Sequence, residues 1–230
     1  MAGQLLEIAA GVHLWREWLS RKDQEILVAD VLARSIEAPF YRPAMPKSGK
    51  PFSVEETNFG SLGWVSDRRG YRYDACHPLT GRPWPAIPAS LLDLWAKTTH
   101  YPEKPECCLV NLYREGARMG AHQDRDEAAL DAPVVSVSLG DDAVFSIGGN
   151  SRGGAKRRVV LHSGDILSFG GPARLAFHGI DRVIAGSSRL IPGGGRLNLT
   201  LRRVAPKEKT PDQGADRASH APLRAGAGRG

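Results

Sequence analysis

Two kinds of hydrophobic spacing divide the chain. In the first hundred or so residues the clear apolar stripes are helical; beyond them, apolar and polar residues alternate with the period of strands. Leu27, Val28, Val31 and Leu32, with Ser35, fall on one helical face. Ser20 followed by Asp23 supplies a capping hydroxyl and a first-turn carboxylate, and Pro39 stops the pattern, so a helix is predicted between them. A second is predicted from Pro88, with Leu91, Leu94, Trp95 and Thr98 on one side and His100-Tyr101-Pro102 closing it. Ahead of both, Val12, Leu14 and Trp15 make residues 5–19 a short strand or an ordered arm.

The strands are short and bounded by Gly-rich turns. Leu109, Asn111 and Tyr113 share one face; Val135, Val137 and Leu139 oppose Ser136 and Ser138. Further strands are predicted at Ala143–Ile147, Arg158–His162, Ile166–Phe169, Leu175–His178 (followed by a polar loop) and Arg196–Val204. This spacing predicts an α+β chain, a sandwich or jelly roll with helices leaning on one side.

Residues 40–87 follow neither period. They read as a long irregular segment in which arginines alternate with aromatics: Trp64, Arg68-Arg69-Gly70-Tyr71-Arg72-Tyr73, Arg82-Pro83-Trp84-Pro85. Tryptophan and tyrosine are costly in a disordered linker, so an ordered lid is expected. Rings that stack on bases beside guanidiniums that hold phosphates suit single-stranded nucleic acid or an extruded base. A small aromatic satellite core covered by arginine stems accounts for the same residues equally well. The chain thus divides into an arm and helix (1–39), the lid (40–87), the strand-rich core with its preceding helix (88–205) and a basic, aperiodic tail (206–230) expected to be disordered.

Composition narrows the partners more than the fold. Hydrophobic residues make up 41% and charged residues 24% of the 230, ordinary for a globular protein. No apolar run approaches a membrane span, and the N-terminal stretch lacks the layout of a secretory signal. Cys76 stands alone and Cys107-Cys108 are adjacent, which makes neither a disulfide framework nor a zinc motif. A cytoplasmic monomer is expected. The net charge of +6 and pI near 9.4 favour an acidic partner.

Chemistry concentrates in Cys107–Glu127 and the last strand. His122-Gln123-Asp124 puts an imidazole and a carboxylate on one side of extended backbone. With a distant histidine, such as that of Phe177-His178-Gly179, they would form the two-histidine, one-carboxylate face of a non-haem Fe(II) oxygenase. In the last strand, Arg196, Asn198, Thr200 and Arg202 face one way and Leu197, Leu199 and Leu201 the other. Solvated surface arginines are the bland reading. Buried, the pair would require anions, and a dicarboxylate such as 2-oxoglutarate offers two.

These residues resemble the AlkB-type Fe(II)- and 2-oxoglutarate-dependent dioxygenases, which reverse alkylation of nucleobases. The resemblance runs from about Asn58 to Val204. It is carried by Thr57-Asn58-x-Gly60-x-Leu62-Gly63-Trp64, Gly70-Tyr71-x-Tyr73, Arg82-Pro83-Trp84-Pro85 and Asn111-x-Tyr113. Downstream it continues through His122-x-Asp124-x-Asp126-Glu127, Val135 to Gly140, His178-Gly179 and Arg196-x-Asn198-x-x-x-Arg202. It is nearer the bacterial members than the protein- or tRNA-directed ones.

The resemblance implies a double-stranded β-helix core, flanking N-terminal helices and a nucleotide-recognition lid. It implies iron on His122, Asp124 and His178, and 2-oxoglutarate on Asn111, Tyr113, Arg196, Asn198 and Arg202, with dioxygen as the third reactant. Arg202 would lie near the carboxylate that chelates iron and Arg196 near the distal one. Trp64, Tyr71 and Tyr73 would cover the substrate, Asp126 would face the damaged base, and Arg72 and Arg152 would hold its surroundings. The implied activity is demethylation of 1-methyladenine- and 3-methylcytosine-type lesions in single- or double-stranded DNA, extending to RNA, with release of succinate, carbon dioxide and formaldehyde. Phe169-Gly170-Gly171-Pro172-Ala173 departs from the bacterial pattern beside the pocket. The competing readings are a dioxygenase of the same fold acting on a tRNA base or a protein, and a non-catalytic nucleic-acid-binding protein.

Overall fold

The computed structural model describes residues 4–206; the expectation of a disordered tail falls, beyond Pro206, outside the described residues. Two antiparallel sheets form a jelly-roll core. The larger has strand order β1 (Leu5–Ala9), β2 (Val12–Trp15), β11 (Ile166–Phe169), β8 (Val134–Gly140), β13 (Arg196–Arg202), β6 (Cys107–Tyr113) and β3 (Glu55–Gly60). The smaller has the order β10 (Arg157–Leu161), β9 (Asp142–Ile147), β12 (His178–Ile184) and β7 (Met119–His122). A separate hairpin pairs β4 (Gly63–Asp67) with β5 (Gly70–Asp74).

Both helices form where their stripes predict. In α1 (Arg21–Arg34) the Ser20 hydroxyl accepts from the Asp23 amide at 3.2 Å. Helix α2 (Ala89–Thr99) starts after Pro88 and ends on His100 in a left-handed conformation. Their apolar faces meet the outer face of the larger sheet: Leu27, Val31, Leu91 and Trp95 pack with Val135, Val137, Leu197, Leu199 and Leu201. Each of those leucines, fully removed from water, contributes about 1.5–3 kcal/mol. The inner face of the same sheet looks toward the smaller one, where Val12, Tyr113, Val134, Phe145, Leu167 and Ile180 form a second core. Period-2 alternation in β13 therefore sends the leucines to the helices and Arg196, Asn198, Thr200 and Arg202 into the space between the sheets.

Three local expectations are corrected. Residues 40–87 are not irregular throughout, because Glu55–Gly60 is the edge strand of the larger sheet. Its polar residues conceal it: Thr57 donates to the Ala38 carbonyl at 2.7 Å, and Asn58 bonds the amide and carbonyl of Trp64, both at 3.0 Å. The strand near His178 begins there instead of ending there, and Gly179–Ile184, expected as a polar loop, continues it. Within residues 5–19, expected as one short strand or an arm, β1 and β2 pair and extend the larger sheet.

Candidate active site and metal centre

His122 closes β7 and His178 opens β12, and the two are Cα partners across the smaller sheet. Gly179 permits that approach, since a Cβ there would meet the Met119 carbonyl oxygen at 2.5 Å. The imidazole centroids are 4.5 Å apart. Asp124, two residues past His122, brings Oδ1 to 3.7 Å from His122 Nε2 and Oδ2 to 3.8 Å from His178 Nε2. One ligand atom from each lies within 4.8 Å of the others. Each histidine donates Nδ1–H to the carbonyl two residues before it, His122 to Gly120 and His178 to Ala176, both at 2.9 Å. A carbonyl only accepts, so the proton sits on Nδ1 and the Nε2 lone pair faces Asp124.

The electrostatics keep this face ready for a cation. Burial pushes the Asp124 carboxyl up, but Arg202 and the two histidines pull it further down, to about 2. Burial lowers His178 to about 4, so its imidazole is neutral at neutral pH. Asp124 Oδ1 accepts from Arg202 at 2.9 Å while buried Oδ2 has no protein partner. Two imidazole nitrogens, one ionised oxygen and an unpaired lone pair fit a divalent first-row metal.

The triad opens onto a cavity of about 560 Å³ between the sheets, within the usual size for small-molecule sites. Arg196 is fully buried; it lies 5.3 Å over the Tyr113 ring and donates through Nη2 to Ser138 Oγ at 2.9 Å. Its Nε and Nη1 have no partner, nor does Oδ1 of neighbouring Asn111. An uncompensated guanidinium in a buried site needs an anion. The two orphaned guanidinium donors fit a carboxylate of 2-oxoglutarate, whose other end would reach the metal. Burial holds the Tyr113 hydroxyl up at about 12, so it stays a neutral donor. Asn198 is already engaged, with Nδ2 donating to Ser136 Oγ at 2.6 Å and to the Val137 carbonyl at 3.1 Å.

At the mouth, Trp64 stacks on Tyr71 at 5.5 Å and donates its indole N–H to Asp126 at 2.9 Å. Arg152 lies at the rim over Phe177, 4.9 Å from the ring centre. Asp126 is thus tied to the aromatic pair at the mouth.

Two sequence-predicted contacts fall elsewhere. Tyr73 does not cover the cavity: deeper along β5, its hydroxyl bonds Glu127 and accepts from Arg202 at 3.3 Å. Arg72 lies on the opposite face of that strand, where alternation must put it, and grips Asp67 through two 3.0 Å bonds.

The sequence reading missed the support beneath the metal face. Glu127, fully buried, takes 3.0 Å from Arg174 Nη2 and 3.6 Å from Arg202 Nη1; Arg174 also donates to the Asp124 carbonyl. Phe169 packs 4.6 Å from the His178 ring, so the divergent segment after it borders the site. Outside it, His77 is structural, bonded to the Pro39 carbonyl.

This arrangement matches a known family over nearly its whole length. The 2OG-Fe(II) oxygenase superfamily model covers residues 11–202. The chain belongs to the 2OG-Fe(II) oxygenase superfamily. Among its relatives, the alpha-ketoglutarate-dependent dioxygenase AlkB homolog of Caulobacter vibrioides is 56% identical over 206 residues, covering 89% of this chain and 92% of that protein. The alpha-ketoglutarate-dependent dioxygenase AlkB of Escherichia coli is 40% identical over 205 residues, covering 87% and 94%. The solved structure of OsALKBH1 superposes with a TM-score of 0.75 at 30% identity, covering 87% of this chain and 100% of that one. The protein is therefore an Fe(II)- and 2-oxoglutarate-dependent dioxygenase, which removes the non-catalytic reading. No helix among the described residues is long and apolar enough to cross a membrane.

Proposed function

We propose that this dioxygenase removes N-linked alkyl groups from nucleobases, with DNA as its principal substrate and RNA as a second. The observation that carries this reading is the mouth of the cavity. A stacked tryptophan and tyrosine, tied to an exposed carboxylate, overhang a site whose floor holds the metal face. A flat, cationic ring fits such a mouth: aromatic faces attract it by stacking and cation–π contact, and Asp126 by charge. Methylation at N1 of adenine or N3 of cytosine creates such a ring and removes a pairing edge, so that leaving the stack costs less.

In this reading His122, Asp124 and His178 hold iron, and Arg196, Tyr113 and Asn111 hold the far carboxylate of 2-oxoglutarate. When bound, iron with 2-oxoglutarate and dioxygen supplies the hydroxylation of the N-methyl carbon, coupled to decarboxylation of the co-substrate to succinate. The chain's own part is positional. Arg202 and Arg174 fix Asp124, the Nδ1 bonds fix both histidines, and Trp64 and Tyr71 hold the base while excluding water. The hydroxymethyl product then loses formaldehyde and leaves the unmodified base. Arg152 at the rim meets flanking phosphate, which makes binding salt-dependent. The protein works as a monomer in the cytoplasm. The test is incubation of the protein, Fe(II) and 2-oxoglutarate with an oligonucleotide bearing one 1-methyladenine. Conversion to adenine is the expected result; an unchanged oligonucleotide alongside active turnover of a tRNA or protein substrate would overturn the reading.

A further inference from the structure

Glu56 stands in the wall of the same cavity, and neither the metal face nor the arginine cradle uses it. It lies on β3 with no exposed surface, and both its carboxyl oxygens are buried without a hydrogen-bond partner. A buried carboxyl group without a partner is costly enough to require an occupant. The sheet register shows what lies beside it. Glu56 is the Cα partner of Asn111, Asn111 of Asn198, and Asn198 of Ser138. Opposed residues in an antiparallel sheet share a face, so these four side chains form one row on the inner face of the larger sheet, and the first three line the cavity. Arg196 and Arg202 flank that row along β13. Glu56 thus stands one strand from Asn111, a member of the cradle, in the wall of the same cavity.

The charged and titratable groups facing Glu56 come from three elements. They are Arg202 on β13, Tyr113 on β6 and Tyr41, whose backbone pairs with that of Glu56. Arg202 is committed to Asp124 and Glu127, and the Tyr41 hydroxyl is itself unpartnered. Burial raises the Glu56 carboxyl to about 8, with Arg202 pulling partly the other way. As an anion it would repel a dicarboxylate; as an acid it offers one O–H donor. Asn111 Oδ1 is also unpaired, yet the two side chains do not bond each other.

We propose that Glu56 is a co-substrate-binding residue: as a neutral carboxylic acid it donates its O–H to a carboxylate oxygen of 2-oxoglutarate, so that co-substrate and proton are held together. The inference rests on the assignment of the Arg196–Asn111 cradle to 2-oxoglutarate.

Calorimetric titration of 2-oxoglutarate into the Mn(II)-loaded full chain, without turnover, tests it. Affinity of the native protein should fall about tenfold per pH unit above about pH 8, and titrations in buffers of different ionisation enthalpy should show proton uptake approaching one per co-substrate. Glu56→Gln keeps a neutral donor, so its affinity should hold within about threefold across that range, with no uptake. A parallel fall in native and Glu56→Gln overturns the proposal. Binding by the native protein above about pH 8 without proton uptake does so too, even should the variant fail to fold. No binding by the native protein at any pH would instead overturn the cradle assignment, and this inference with it.

Discussion

His122 and His178 face each other in the register of the smaller sheet, and each donates its Nδ1 proton to the carbonyl two residues before it. One local rule, applied on two antiparallel strands, aims both Nε2 atoms at Asp124. The metal face is thus set by backbone geometry. Replacing either histidine with alanine should weaken Mn(II) or Fe(II) binding by more than about a hundredfold. Both rings border the cavity, so the fold should survive. Metal titration with thermal unfolding checks both; normal metal binding by His178→Ala would refute the assignment.

Arg196 leaves two guanidinium nitrogens for a ligand. Arg196→Met removes a charge-assisted contact worth about 1.5–3 kcal/mol, so the half-saturating 2-oxoglutarate concentration should rise at least tenfold. Metal affinity, measured in parallel, should stay unchanged.

Glu127 and Arg174 form a buried pair that holds Asp124 from behind. Removing one partner strands the other, so Arg174→Met should lower unfolding free energy by about 3–5 kcal/mol. Urea denaturation measures it. A loss within the ordinary range of surface substitutions would mean the pair is not a structural support.

Glu56 gives stability a pH signature. Between the ordinary 4.5 and the buried value of about 8, the folded protein keeps a proton that the unfolded chain has released. Stability therefore falls as pH rises through that window. Glu56→Gln removes the penalty: it should exceed the native protein by on the order of 2–4 kcal/mol near pH 8. The gain should vanish below 4.5, where both states are protonated. Equal pH–stability curves for the two proteins would show that Glu56 is not buried in this way.

Asp126 accepts the Trp64 indole N–H and remains at the mouth. Asp126→Ala should retain metal and co-substrate but lose about a tenfold preference, ~1.4 kcal/mol, for cationic 1-methyladenine over neutral 1-methylguanine. Trp64→Ala should cost affinity for both bases. The turnover ratio on matched oligonucleotides decides this, an unchanged ratio in the Asp126 variant meaning that the carboxylate does not read the base.

The parts legible in the sequence share a short-range rule. The Ser20 cap and the stripe of α1, the alternation of β13 and the i, i+2 relation of His122 to Asp124 depend only on near neighbours, and all appear in the structure. The arginines of β13 illustrate where the rule ends. Alternation put them on one face, but that the face is an enclosed cavity wall depends on the smaller sheet. Strand β3 was hidden because Glu56, Thr57 and Asn58 are polar and yet buried, each for a tertiary reason. Arg174 was equally hidden: its partners, Ala132, Asp124 and Glu127, lie more than forty residues away. Tyr71 and Tyr73 share a strand face, but depth along the hairpin gives one to the mouth and the other to the buried carboxylates.

Oxidation of 2-oxoglutarate should be coupled to the loss of an alkyl group from a base. The direct measurement is the yield of succinate and of formaldehyde from one reaction, with oligonucleotides identical except for a single 1-methyladenine. Equimolar succinate and formaldehyde are expected with the methylated strand, matched by the adenine recovered, and little of either product with the unmethylated one. Succinate formed at the same rate with both strands, and no formaldehyde from the methylated one, would contradict it.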